Sequence, residues 1–304
     1  MKPAVKNLSD NRGMALITVL LITTILIAVA IELNRSSRAE VYDATNISDG
    51  IKLAYIAKSG FYAGAALLAN YSNDYISLRD DWAKTELLSA KSAGLFEDGA
   101  FIVKIEDEAG KIPLNKLLNG NEFNPDIRAI FIRLLSQPEF GLAERSASDI
   151  VDAIKEYILL KTTPPDCIEE LLMVKGVTKE LFAGTKEKPG LVQYITVYGD
   201  GLININTAPK MVLRSLSSNI SSEMADRMDE YRKKDGNDLS NVSWYRQVPG
   251  FSNVTINAGL ITVNSSYFKV VAVGSMKNMT QNVSGVIRKI AGRKSFQIIT
   301  WRLE

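Results

Sequence analysis

Apolar and polar positions give the chain a strongly uneven texture. From Met14 to Ile31, 18 residues carry no charge, proline or glycine. They make about 27 Å of helix, enough to span a hydrocarbon core. Beyond them the apolar residues thin to one stripe at helical steps of three and four: Ala44, Ile47, Ile51, Ala54, Ala57, Phe61, Ala65 and Leu68. No proline lies between Pro3 and Pro113. One helix over 14–70 is therefore expected, with its stripe lying against a domain. Gly50, Gly60 and Gly64 each weaken that helix by up to about 1 kcal/mol, which leaves a break near 48–50 open.

Further on the texture alternates. Residues 99–119 predict a strand, a turn at "EDEAG", a short strand and a helix start capped by Asn115. Residues 191–211 repeat the theme: Tyr194, Ile195 and Val197, a turn at 199–201, then Ile203 and Ile205 running into Asn206 and Thr207 as caps. Pro209 is expected just inside the next helix. An internal repeat surrounds this segment. Ser148, Asp152, Glu156, Tyr157, Val174 and Gly176 reappear 74 positions later as Ser222, Asp226, Glu230, Tyr231, Val248 and Gly250. Each copy predicts an amphipathic helix, a polar loop and a short helix closed by glycine, forming a small helical subdomain. The segments 265–275, 281–290 and 295–304 predict an antiparallel meander. Ile299, Trp301 and Leu303 are expected on one face, against the helix stripe. The layout implies an α+β fold: a long N-terminal helix packed on an antiparallel sheet, interrupted by helical insertions.

Composition removes much chemistry. The chain has 304 residues, 36 Lys plus Arg, 34 Asp plus Glu and no histidine. Histidine-based nucleophile arrangements and general bases, and most zinc sites, are thereby excluded. No phosphate-binding loop or nucleophile elbow is present. No catalytic residue, metal or cofactor is expected, and the chain reads as a non-enzyme. Cys167 is the single cysteine and cannot form an internal disulfide. Asp235 and Asp238 in "KKDGNDLSN" read as a solvated turn rather than a calcium loop.

A secretory signal would end its apolar run at a small-x-small cleavage site, whereas Glu32, Leu33, Asn34 and Arg35 follow here. Lys2, Lys6 and Arg12 precede the run, so the N-terminus is expected in the cytoplasm and the remainder across the membrane. Arg12-Gly13 directly before Met14 resembles the processing site of a type IV pilin-like precursor. That resemblance implies cleavage between Gly13 and Met14 by a prepilin peptidase, N-methylation of Met14 and retention of the helix. Removing Lys2, Lys6, Arg12 and Asp10 with such a leader leaves 33 basic and 33 acidic residues.

Along nearly its whole length the chain resembles the K-type minor pseudopilins of type II (general) secretion systems. The motifs that carry the resemblance are "RGMALITVLL", "DEAGKIPLN" (107–115), "LININTAP" (202–209) and "SSYFKVVAVG" (265–274). It implies a pilin-like fold with a large insertion of two SAM-like or helix-hairpin-helix-like units. The corresponding domains are a leader 1–13, a helix 14–70 (transmembrane 14–31), a pilin-like part 71–119, helical unit 120–190, connecting strands 191–206, helical unit 207–252 and C-terminal strands 253–304. The implied role is assembly at the tip of a periplasmic pseudopilus, to initiate or cap it and support protein export from the inner membrane. Implied partners are the I- and J-type minor pseudopilins and the major pseudopilin, with no nucleic acid and no cofactor.

Subunit packing is expected through Leu16, Ile17, Thr18, Val19 and Leu20. Thr18, fifth from Met14, stands where major pilins carry a glutamate. An unpaired carboxylate there costs about 2.5–3.5 kcal/mol on insertion scales, whereas a hydroxyl can bond back to its own helix. Thr18 therefore suits a subunit with no neighbour above it, although Thr23 and Thr24 show that it is also an ordinary small polar helix residue. The rival reading is a membrane-anchored helix-hairpin-helix DNA-binding protein of competence type. Thr178 and Ser252 replace the second glycine of that hairpin, and residues 122–190 hold 9 basic against 12 acidic side chains, the wrong balance for phosphate.

Overall fold

The computed structural model describes residues 12–290 and 292–304. The first eleven residues, which hold most of the expected leader, lie outside the described residues. The chain divides into two units, 1–53 and 54–304.

In the first unit, helix α1 (Arg12–Asn70) begins and runs on without interruption into the second. The break left open near 48–50 does not occur. One glycine costs a helix about 1 kcal/mol, too little to interrupt so long a ladder. Residues 13–48 are exposed throughout, including Ala44 and Ile47, and Ile51 is exposed too. The upstream half of the expected stripe is thus not core.

In the second unit, Ala57, Phe61, Ala65 and Leu68 are fully buried, as the spacing predicted. After α1 come α2 (Glu86–Ser92) and the strand β1 (Gly99–Asp107). Then follow β2 (Ile112–Pro113), β3 (Leu118–Asn119), β4 (Glu122–Phe123), α3 (Pro125–Leu135), α4 (Glu144–Lys161) and α5 (Lys179–Ala183). Next are β5 (Ile195–Thr196), β6 (Ile203–Asn204), α6 (Lys210–Ser215), α7 (Ser222–Lys233) and β7 (Ile261–Thr262). The meander β8 (Tyr267–Met276), β9 (Met279–Lys289) and β10 (Phe296–Leu303) closes the chain.

The main sheet is antiparallel in the order β1-β8-β9-β10. Alternation decides its faces: Phe101, Val103 and Ile105 of β1 and Phe268, Val270 and Ala272 of β8 point to the buried side. Two glycines let α1 approach this closely. A Cβ on Gly60 would lie 2.9 Å from the Phe101 ring, and one on Gly64 2.9 Å from Val103 Cγ1. The Phe61 ring reaches further, to Gly285 of β9.

The two sheet edges differ. Along β1, hydroxyls of α2 and its start occupy the free backbone groups. Ser92 Oγ donates to Phe101 O and accepts from Phe101 N (both 2.9 Å), Ser89 Oγ accepts from Val103 N (3.1 Å), and Thr85 Oγ1 donates to Val103 O (2.5 Å). Among the described residues no hydroxyl covers the outer edge of β10 in this way. A bulge between Ile298 and Thr300 shifts its register, so Ile298, Trp301 and Leu303, not Ile299, pair with Ile287, Gly285 and Val283 on the helix side. These three remain 37–44% exposed, which corrects the expectation that β10 is covered.

The helical units are not separate subdomains. Their apolar residues, with those of the connecting strands, form a single core from Ile112 to Val263. The 74-residue repeat is structural as well as sequential: the 3₁₀ turns Ile168–Met173 and Val242–Gln247 keep that offset. Val174 N and Val248 N donate to Leu171 O and Tyr245 O at 3.0 and 3.1 Å. Gly176 and Gly250 adopt φ of 90° and 94°, a left-handed conformation that glycine adopts without steric cost.

Candidate assembly surfaces

Met14, Leu16, Ile17, Val19 and Leu20 lie on the exposed first turns of α1. Thr18 Oγ1 donates to Met14 O at 2.9 Å, and Thr23 and Thr24 donate to Leu20 O and Leu21 O at 3.0 and 2.8 Å. Every hydroxyl in this stretch is thus satisfied by its own helix, so the segment offers lipid no orphan polar side chain. An 18-residue window reaches a mean hydropathy of 2.8 with none of it buried.

The three motifs of the soluble part meet at Asp107, which the sequence reading did not single out. Its Oδ2 accepts from Ser265 Oγ (2.5 Å), Thr207 Oγ1 (2.6 Å) and Asn204 Nδ2 (3.1 Å), and its Oδ1 accepts from Ala109 N (2.9 Å). Burial pushes this carboxyl up to about 6 against donors that favour its anion. The neighbouring Glu108 is bound by Thr196 Oγ1 (2.5 Å) and Lys111 Nζ (2.6 Å). Each of the four carboxylate oxygens accepts at least one hydrogen bond from the chain's own donors. The cluster fastens the insertion to the sheet.

The expected caps are corrected here. Asn115 lies inside a 3₁₀ turn and donates to Gly199 O (3.1 Å); the next helix, α3, starts ten residues later with Asn124 as its N-cap. Pro125 at the first helical position makes Asn124 the better start. Asn206 accepts from Trp244 Nε1 (2.7 Å) and donates to Leu239 O (3.1 Å), while Thr207 belongs to Asp107. The N-cap of α6 is Pro209, just outside the helix rather than inside it. Buried donors and acceptors took these side chains away from capping. A second buried ion group, Arg232, reaches Asp229 Oδ1 (2.6 Å), Ile205 O (3.1 Å) and Ala208 O (2.7 Å), and secures α7 to the connecting strand.

In the hairpins, Thr178 Oγ1 accepts from Leu181 N (3.1 Å) as the N-cap of α5, so the residue replacing the second glycine already serves the fold. Among the described residues no three His, Cys, Asp or Glu side chains gather as metal ligands.

Residues 203–264 match the family model of type II secretion system (T2SS) protein K. Among solved structures the fold is similar to a chain of the GspK-GspI-GspJ complex from the enterotoxigenic Escherichia coli type 2 secretion system. The TM-score is 0.64 and the identity 14%, over 86% of this chain and 99% of that one. No curated protein matches significantly. The matched segment and the matched fold together support the K-type minor pseudopilin reading of the sequence.

Proposed function

We infer that this chain, a K-type minor pseudopilin of a type II secretion system, works at the tip of a periplasmic pseudopilus, where it initiates or caps the fibre and supports protein export. The observation that carries the reading is the continuity of α1. The same helix that exposes 18 uncharged residues at its start supplies Ala57, Phe61, Ala65 and Leu68 to the core of the second unit. Such a segment is part of the folded protein, not a signal to be discarded. Prepilin peptidase then removes residues 1–13, and the new N-terminal Met14 is methylated. The rod anchors the protein in the inner membrane by a single pass, with the C-terminal domain in the periplasm. It packs against I- and J-type minor pseudopilins and the major pseudopilin through Leu16 to Leu20. Thr18, whose hydroxyl is satisfied within its own helix, needs no subunit above it. The role is structural, with no chemical step.

Mass spectrometry of the protein purified from membranes tests this. A terminus at Met14, heavier by one methyl group, is the expected result. A terminus after Ala28 or Ala30, or an intact Met1, overturns the processing.

A further inference from the structure

Acidic and basic residues are unevenly spread along this chain. Residues 239–303 hold eight Lys or Arg and no Asp or Glu, where the overall frequency of 34 acids in 304 residues predicts about seven. Three of those bases meet at one place. Lys289 of β9, with Arg293 and Lys294 of the β9–β10 turn, lines a cleft of about 570 Å³ at the C-terminal end of α1. Ile290 N donates to Ser295 O (3.1 Å) and Arg293 N to Ile290 O (3.2 Å), so the exposed Arg293 and Lys294 leave a closed turn. Lys289 is half-buried: its Nζ donates to Tyr71 O and lies 5.3 Å from the Tyr71 ring. Burial lowers its ammonium below the ordinary value, and no anion offsets the shift. Arg288 faces the other way, over the Tyr267 ring (5.5 Å). Among the described residues no carboxylate is within ion-pair distance of Lys289, Arg293 or Lys294, and none lines the cleft. Two acids of the same region are already bound. Asp80 accepts from Ser77 N (2.7 Å) and Trp82 Nε1 (3.3 Å), and Asp107 lies enclosed behind Ser265.

We propose that this cleft binds an acidic segment of a partner polypeptide, its carboxylates meeting Arg293 and Lys294 at the mouth and Lys289 further in. The proposal stands on this local charge distribution and does not depend on the fibre reading. Charge selects an anion, since a desolvated ammonium gains more from a counter-charge than a solvated one. The planar fork of Arg293 suits a carboxylate in particular, which it can hold through two hydrogen bonds. The rest of the lining selects a polypeptide over a phosphate group. Asn70 Nδ2 donates to Ala66 O (3.0 Å) and Asn73 Nδ2 to the Tyr71 hydroxyl (2.7 Å), which leaves each amide a carbonyl oxygen and a second N–H. With Asn264 they offer donors and acceptors together, the set that matches peptide N–H and C=O groups, whereas phosphate presents acceptors almost alone. The last carbonyls of α1 act in the same sense: their partial negative charge opposes a compact dianion. Place argues against a lipid surface, because the cleft lies at the opposite end of α1 from its 18 uncharged residues.

Fluorescence anisotropy on the full chain in detergent tests the proposal with a rhodamine-labelled hexapeptide of alternating Glu and Ala and its Gln counterpart. The Glu peptide should bind at least tenfold more tightly than the Gln peptide. Raising the ionic strength from about 0.02 to about 0.3 M should weaken it at least fivefold. Arg293→Glu with Lys294→Glu should weaken it at least tenfold, and the neutral pair Arg293→Gln with Lys294→Gln at least threefold, both with an unchanged urea midpoint. Arg246→Glu, at an exposed base of the same acid-free stretch outside the cleft, should leave binding unchanged. Equal binding of the two peptides, no saturation by about 1 mM Glu peptide, or an Arg246→Glu loss as large as that of the cleft variants overturns the proposal. Tighter binding of inorganic phosphate, a single-stranded oligonucleotide or phosphatidylglycerol vesicles than of the Glu peptide also overturns it, and assigns the cleft to phosphate groups instead.

Discussion

Raising the pH from about 4.5 to 7.5 should destabilise the folded domain through one buried carboxyl, Asp107. Its ordinary value is 3.8 and burial raises it to about 6 in the folded chain. The folded state therefore holds the proton more tightly than the unfolded one. Stability from this group is fully present below 3.8 and is lost as pH rises through about 6. At about 1.36 kcal/mol per unit the full span is about 3 kcal/mol, of which about 2 kcal/mol falls between pH 4.5 and 7.5. Carboxylates of the opposite kind act lower. Burial alone would raise Glu170, but Lys161 Nζ, Asp166 N and the Tyr157 hydroxyl hold it down to about 2, so its contribution is lost only as pH falls below its ordinary 4.5. Urea unfolding of the full chain in detergent reads both limbs through the buried Trp82 and Trp244. The midpoint should fall from pH 4.5 to 7.5, and Asp107→Asn, which cannot titrate, should abolish that slope. A midpoint that is flat or rising in the wild type, or a slope that persists in the Asn variant, refutes the reasoning.

Arg232→Ala should cost at least about 2 kcal/mol in the same assay, because it leaves Asp229 Oδ1 and the Ile205 and Ala208 carbonyls in the core without their donor, while Lys233 Nζ still holds Asp229 Oδ2 (2.6 Å); an effect below about 1 kcal/mol would mean that water replaces the guanidinium. Gly285→Ala should cost about 1–3 kcal/mol, since its Cβ would collide with Thr300 O and the Phe61 ring, whereas Gly236→Ala, with open space around it, should show only the strain of its positive φ. Thr18→Glu should lower membrane insertion or fibre initiation in cells, a cost of about 2.5–3.5 kcal/mol if no neighbour's amine meets the carboxylate. Thr18→Val should leave both unchanged, and an unchanged Glu variant would remove the proposed role of that hydroxyl.

Periodicity made the long helix, the strands and the repeat legible, because each depends on residues a few positions apart. The 74-residue offset survives even in single hydrogen bonds of the two 3₁₀ turns. What the pattern could not show is set by distant partners. Asp107 is bonded to residues 97, 100 and 158 positions away, so nothing local marks it as a buried hub. The same cause misled the reading of caps. Asn206 and Thr207 have the right chemistry beside a helix, but Trp244 and Asp107 claim them. On β10 a single bulge exchanged Ile299 for Ile298 on the helix side, a shift that alternation alone cannot reveal.

The family match covers 203–264, and that segment supplies Asn204 and Thr207 to the Asp107 cluster and Ile203 and Ile261 to the pairing of β6 with β7. The similarity therefore reports the joint between insertion and sheet, a buried arrangement in which each polar atom has a fixed partner and few substitutions are tolerated. The surface proposed to contact neighbours, Leu16 to Leu20, lies outside that segment. Exposed positions of this kind are constrained by the partner rather than by the fold. At 14% identity a shared fold says nothing of whether those positions match. If that surface sets which neighbour docks, exchanging residues 16–20 between two K-type chains should exchange their preference for the I-type partner and leave folding untouched. A preference that stays with the joint instead would place partner choice in the insertion.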